Sequence, residues 1–203
     1  MNWIITPEKY LSDEEVKRLV NTCKDSAQLA KSKGNYIDVR NWAIIDLALN
    51  TGLRVAELSN LKIEDLHLDY GEKSLTVRNG KGNKARNVKF SSALKKHLRE
   101  YLDSRTDDSP YLFSSSRQEQ MSRSAIQKVV KKWMREAGLP DHFSVHSLRH
   151  TYATRLYKAS NHNLRLVQKQ LGHSSIQTTQ VYADVSDTDV ETAVERLGQE
   201  ESS

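Results

Sequence analysis

Between residues 66 and 90 the hydrophobic period of this chain switches from helical spacing to alternation. Leu75 and Val77 alternate with polar residues, as do Val88 and Phe90, and the stretch NGKGN (79–83) between them has hairpin-turn composition. Residues 67–69 can supply a third strand. On either side, apolar residues recur every three to four positions, which predicts helices. Ser12 with Glu15 forms a capping box, Leu11 is placed as its staple, and Val16, Leu19, Val20, Cys23 and Ala27 follow at helical spacing. A second helix is expected over 39–50, with Trp42, Ile45 and Leu49 on one face and Gly52 as its stop. A short third helix fits 54–60. Ser91 caps a fourth, with Leu94, Leu98 and Leu102 as its stripe, and another runs over 122–137 with Ile126, Val129, Val130 and Trp133 inside and Gly138 at its end. Further helices are expected over 146–159, 163–171, 174–182 and 187–197. The fold class is mainly α with a small antiparallel β-sheet, an α+β arrangement.

A length of 203 residues suits one domain, or one domain with a small appendage. Such a chain buries roughly two-thirds of its unfolded surface, so it needs no metal or disulfide staple. With 37% hydrophobic and 28% charged residues, it is globular rather than disordered or collagenous. The single Cys23 excludes an intramolecular disulfide and points to a reducing compartment. No apolar run approaches the ~20 residues that span a bilayer. The opening residues lack the basic and apolar regions of a secretory signal. A cytoplasmic, nucleoid-associated location is therefore expected, with no membrane partner.

Four local patterns carry chemistry-bearing residues: TGLRVAEL (51–58), GKGNKAR (80–86), HSLRHTYAT (146–154) and LGHSSIQTTQVY (171–182). Each has an ordinary explanation. Arg54 can be a helix-surface arginine, Lys81 a soluble loop residue, His146 and Arg149 a surface i, i+3 pair. His173 can be a capping residue and Tyr182 a core residue. His146 and His150 have the spacing of two zinc ligands, but Ser147 stands where the general base of an HExxH helix belongs. Arg149 between them would repel a cation, so no metal is expected. The 80–84 loop lacks the spacing of a Walker phosphate loop, and a strand follows it where a helix should.

Together the patterns fit one device. Two arginines, two histidines, a lysine and a tyrosine without paired carboxylates suit a phosphate substrate. Arg54 and Arg149 can each offer a planar fork to a phosphate. A tyrosine hydroxyl, with a pKa of about 10, needs a cationic pocket and a nearby base to act as nucleophile. Lys81 can donate a proton to a leaving oxygen, help worth roughly 10²–10⁴ in rate.

The ordered set TGLRxxEL, GKGNKxR, HxLRHTxAT and LGHxxxxTTxxY resembles the tyrosine recombinases, the phage-integrase family that includes the Xer-type enzymes. Each motif alone is weak; all four in this order are highly specific. The resemblance implies a recombinase catalytic-domain fold and a role for each matching residue. Arg54 would be the first catalytic arginine, and Glu57 the acidic residue that orients its neighbours. Lys81 would protonate the 5′-oxygen, with Lys84 on the same hairpin as a substitute. His146 and Arg149 would be the HxxR pair, with His146 as acid or base. His173 would hydrogen-bond the scissile phosphate. Tyr182 would attack it to form a 3′-phosphotyrosyl bond. A 5′-hydroxyl of a partner strand reverses the step, so no cofactor is expected. His150, about 100° further round the helix, is expected to be structural.

The resemblance covers residues 12–185 as a catalytic domain. Residues 1–11 form an arm or linker remnant, too short for the helical N-terminal domain that usual members use to clamp the far side of the duplex. Either an excised catalytic domain or a short single-domain branch is expected. Residues 186–203 form an acidic helix and tail that the resemblance places on a neighbouring protomer, within a tetramer on paired sites. Double-stranded DNA is the expected partner, with room for an accessory protein. Charge supports DNA. The net charge of +5 conceals seven acids against one base in residues 183–203, a net of −6, so residues 1–182 carry +11. Solvated faces explain such cations in general. Beside these motifs, Arg78, Lys84, Arg86, Lys128 and Lys132 are expected DNA contacts, with Arg123, Gln127 and Lys131 on the side of a helix that reads the major groove. A relaxing activity like that of type IB topoisomerases, or a non-cutting DNA-binding accessory protein, are the alternatives.

Overall fold

The computed structural model describes residues 7–78, 85–115 and 118–172. Seven helices and a three-stranded sheet follow one another among these residues. Helix α1 (Asp13–Ser32) starts with the expected capping box. The Ser12 N–H donates to Glu15 Oε2 at 2.8 Å, and the Glu15 N–H to Ser12 Oγ at 3.3 Å. The Leu11 N–H just before it donates to Thr151 Oγ1 at 2.9 Å, which ties the entry of α1 to a helix 140 positions away.

Helix α2 (Ile37–Thr51) departs from the single-faced pattern expected of it. Val39, Ala43, Ile44, Ile45, Leu47, Ala48 and Leu49 are all buried, on every side of the helix. Trp42 is only half-buried and stacks on His97 with ring centroids 4.9 Å apart. The reason is placement: α2 runs through the centre, packed by helices α1, α4, α5 and α6. A helix with neighbours all round is apolar all round.

After Gly52 come α3 (Val55–Asn60) and a 3₁₀ turn (Ile63–Asp65). The sheet follows as β1 (Leu66–His67), β2 (Ser74–Val77) and β3 (Arg86–Lys89), antiparallel in the order β1-β2-β3. Leu75 pairs with Leu66 on one side and Val88 on the other, so the alternating apolar residues share one covered face. The third strand pairs through Leu66 and His67 rather than 67–69. The hairpin residues 79–84, with Lys81 and Lys84, lie outside the described residues.

Helix α4 (Ser92–Asp103) buries Leu94, Leu98 and Tyr101, with Leu102 only partly covered. Helix α5 (Arg123–Glu136) buries Ile126, Val130, Trp133 and Met134 and ends before Gly138, whose φ is +64°. Both start at a serine whose hydroxyl accepts the N–H three residues on, at 3.2 Å. Helices α6 (Val145–Ala159) and α7 (Leu164–Leu171) complete the described part.

At eight residues, α7 is too short to persist alone. A separate apolar patch of Ala153, Val167 and Leu171, flanked by Tyr10, Tyr152, Leu156 and Tyr157, holds it to α6. Burying Val167 and Leu171 contributes about 2 kcal/mol each. The Gln170 amide adds a polar anchor. It donates to the Lys89 carbonyl at 2.8 Å and accepts the Lys89 N–H at 3.1 Å, so α7 also docks on β3. The helices expected over 174–182 and 187–197 lie outside the described residues.

Candidate active site

Helices α2 and α7 both end in a glycine with left-handed backbone, Gly52 at φ +62° and Gly172 at φ +65°. That geometry turns the chain sharply and leaves helix C-terminal carbonyls pointing outward. Arg149 on α6 collects one from each end. Its guanidinium donates to the Gly52 carbonyl and, at 2.9 Å, to the Leu171 carbonyl. Only 5% of Arg149 is exposed. A buried cation at two helix C-termini sits where the partial negative charges of both converge. Gly52 in the first motif segment and Leu171 at the start of the last are thereby fixed to the helix that carries the third.

Two residues beyond Gly52, Arg54 occupies the N-cap of α3. Glu57, in the third position of that helix, folds back on it. Glu57 Oε2 accepts the Arg54 N–H at 2.8 Å and Oε1 accepts Arg54 Nη1 at 3.0 Å. The Glu57 side chain is buried, whereas the Arg54 side chain keeps 29% of its surface exposed. The acid thus aims the arginine from beneath. A second arginine holds the acid: Arg86 Nη1 and Nη2 donate to Glu57 Oε1 and Oε2 at 2.8 and 2.9 Å. Burial alone would raise the Glu57 carboxyl, but Arg86 and then Arg54 hold it below the usual carboxylate range.

Arg86 is placed differently from the exposed cations of the chain. The run of cations around the hairpin places it among DNA contacts, yet its guanidinium is turned inward on Glu57 and its side chain is only 11% exposed. The sequence carries a signal for this. Arg86 and Val88 share a strand face by alternation, and Val88 is fully buried.

His146, one turn before Arg149, is exposed on α6. His150 is half-buried, and burial, with the charges of His146, Arg149 and Lys9, pushes its imidazole down to about 4. Arg78 pairs with Asp65 and, at 3.1 Å, with Glu64. On α5, Arg123, Gln127 and Lys128 are exposed. Lys131 donates to the Asp141 carbonyl, and Lys132 lies 3.5 Å from Asp38 and over the Trp133 ring. Lys131 and Lys132 are therefore partly engaged within the fold. Lys81, Lys84, His173 and Tyr182 lie outside the described residues; His173 is the next residue after Gly172.

A family model described as the phage integrase family matches residues 9–189. The chain belongs to the phage integrase family. Among relatives within it, the tyrosine recombinase XerA of Pyrococcus furiosus is 40% identical over 194 residues, covering 94% of this chain and 62% of that protein. The tyrosine recombinase XerC of Caldanaerobacter subterraneus subsp. tengcongensis is 40% identical over 180 residues, covering 86% of this chain and 50% of that one. This phage integrase family chain thus spans between half and two-thirds of the length of these relatives. A crystal structure of XerA recombinase superposes with a TM-score of 0.72 at 35% identity, covering 92% of this chain and 64% of that one. A pre-cleavage complex of the XerH site-specific recombinase bound to its difH substrate gives a TM-score of 0.76 at 29% identity, covering 92% of this chain and 53% of that one.

Proposed function

We propose that this chain is the catalytic portion of a site-specific DNA recombinase that cuts and rejoins strands through a 3′-phosphotyrosyl bond at Tyr182. One observation carries the reading. Arg149 bridges the Gly52 and Leu171 carbonyls while Glu57 holds Arg54, so three motif segments distant in sequence form one frame. The frame presents arginine chemistry at a point from which residue 173 departs. The family membership and the Xer relatives support the same reading.

In this scheme Arg54 and Arg149 neutralise the non-bridging oxygens of the scissile phosphate, and His173 donates a hydrogen bond to it. The Tyr182 hydroxyl oxygen bonds to phosphorus, and the bond from phosphorus to the 5′-oxygen breaks. The tyrosine proton passes to a base, for which His146 is the candidate, and Lys81 supplies a proton to the departing 5′-oxygen. The phosphodiester is conserved as a phosphotyrosyl ester, and a 5′-hydroxyl from a partner strand reverses each transfer. Arg123, Gln127 and Lys128 on α5 face the duplex, with Lys84 and Arg78 near the hairpin. Protomers pair as a tetramer on two sites, residues 186–203 of one resting on the next, in the cytoplasm on the nucleoid.

Two labelled duplexes from the chain's own locus test this reading. Recombination predicts hybrid products carrying both labels. Relaxation of supercoiled plasmid without hybrids would point to a topoisomerase-like activity, and binding without either to an accessory protein.

A further inference from the structure

Among the described residues of the site, Arg86 is a largely covered arginine to which the proposed chemistry gives no task. All three of its guanidinium nitrogens are placed. Nη1 and Nη2 grip the two oxygens of Glu57, and Nε donates to the Gln170 carbonyl at 3.3 Å. Glu57 in turn accepts two bonds on each oxygen, one from Arg54 and one from Arg86 in each case. A carboxylate offers about four acceptor directions, so this one is saturated. Arg54 therefore cannot swing without breaking bonds that Arg86 fixes from the other side.

The same side chain touches the end of α7. A Cβ on Gly172 would lie 2.6 Å from Arg86 Cδ, 2.8 Å from Nε and 3.0 Å from Cζ. The backbone of Gly172 thus lies directly on the Arg86 side chain. Arg86 belongs to β3, the strand that follows the hairpin bearing Lys81. One residue consequently meets three motif segments: the one with Arg54, the strand after Lys81, and the turn leading into His173.

We propose that Arg86 is a positioning residue for strand cleavage, acting through Glu57 to aim Arg54 and through Gly172 to register the end of α7 against it. This rests on the cleavage chemistry proposed above. Arg86 needs no contact with DNA for this role. The bidentate grip is specific to arginine, because a lysine ammonium is a single point charge.

The role has a signature in pH. The charged groups facing Glu57 are Arg54 from the start of its own helix and Arg86 from β3; Lys62, Asp65 and Arg78 line the same depression of about 350 Å³. Without Arg86, burial of Glu57 is opposed by Arg54 alone, and the carboxyl takes up its proton at higher pH. A protonated Glu57 can no longer hold Arg54 by charge. Cleavage should then fall on the acid side at a higher pH than in the wild type.

The test measures single-turnover cleavage of a nicked suicide duplex, duplex affinity and thermal unfolding of the full chain carrying Arg86→Gln or Arg86→Lys. Arg86→Gln is expected to keep duplex affinity within about two-fold and to slow cleavage by about 10²-fold, the cost of a misplaced catalytic group. Its acid limb moves to higher pH. Arg86→Lys, which keeps the charge and folds more readily, restores the acid limb but only part of the rate. In a Glu57→Gln background, Arg86→Gln should cost less than it does in the wild type, because the route through Glu57 is already gone and only the contact with Gly172 remains to be lost. Weaker binding with a shallower salt dependence and unchanged cleavage of bound duplex would make Arg86 a DNA contact and overturn the proposal. So would a rate loss that leaves the pH profile unmoved and adds fully to that of Glu57→Gln. A wild-type chain that forms no adduct overturns the cleavage chemistry and this role together; adduct formation equal in wild type and Arg86→Gln overturns this role alone.

Discussion

Arg149 donates to the carbonyl of Gly52, so the end of α2 and the first turns of α6 are held as one piece. Gly52 can make that turn only without a side chain. Its φ is +62°, and a Cβ would lie 2.5 Å from Tyr152 Cδ1 and 2.8 Å from Leu171 Cδ2. Gly52→Ala should cost about 1–2 kcal/mol for the left-handed backbone and about 1–3 kcal/mol more for the overlap. A lower midpoint in urea, with an unchanged slope, is the expected measurement.

Arg149→Lys keeps the charge but replaces a planar fork, whose two Nη atoms each reach a different carbonyl, with a single ammonium point. A carbonyl that loses its donor at this buried position costs about 1–3 kcal/mol. Under the proposed chemistry, loss of the fork should also lower cleavage by about 10²–10³-fold. Thermal unfolding and single-turnover cleavage at saturating protein report the two effects separately.

How much of this was legible in sequence depends on how far apart the partners are. Helix ends were legible because their caps are local: Ser12 with Glu15, Ser91 with Leu94, Ser122 with Ala125. The small sheet was legible because alternation is local too. The all-round burial of α2 was not, since it is set by four other helices. Arg149 reads in sequence as a fork for phosphate, but its carbonyl partners lie 97 and 22 positions away. The Gln170 anchor on Lys89 spans 81 positions and has no local signature. For Arg86 the charge run and the strand phase point in opposite directions, and Glu57, a partner 29 positions away, decides between them.

His150 should shape acid stability. Its imidazole is held down at about 4, whereas an unfolded histidine titrates near about 6.5. Below that pH the unfolded chain binds the extra proton, so this contribution is whole above about 6.5 and is lost as pH falls toward 4. His150→Gln should flatten the dependence of Tm on pH across that window. An unchanged slope would mean that the group does not titrate this way.

The exposed cations of α5 should grip phosphate. Lys128→Ala is expected to reduce the slope of log affinity against log salt by about 0.9, the value of one released counterion on duplex DNA. Lys132→Ala should change it less, because Lys132 already lies 3.5 Å from Asp38. Gln127→Ala should leave the slope alone and alter sequence preference instead. Binding titrations at several salt concentrations, on cognate and scrambled duplexes, separate these outcomes.

The most direct measurement is to trap the covalent intermediate on a nicked suicide duplex from the chain's own locus and map the attachment by mass spectrometry. A nucleotide is expected on Tyr182, linked through the 3′-phosphate, with a free 5′-hydroxyl on the released strand and no adduct from Tyr182→Phe. An adduct on another residue, or one that persists in Tyr182→Phe, would contradict cleavage through Tyr182.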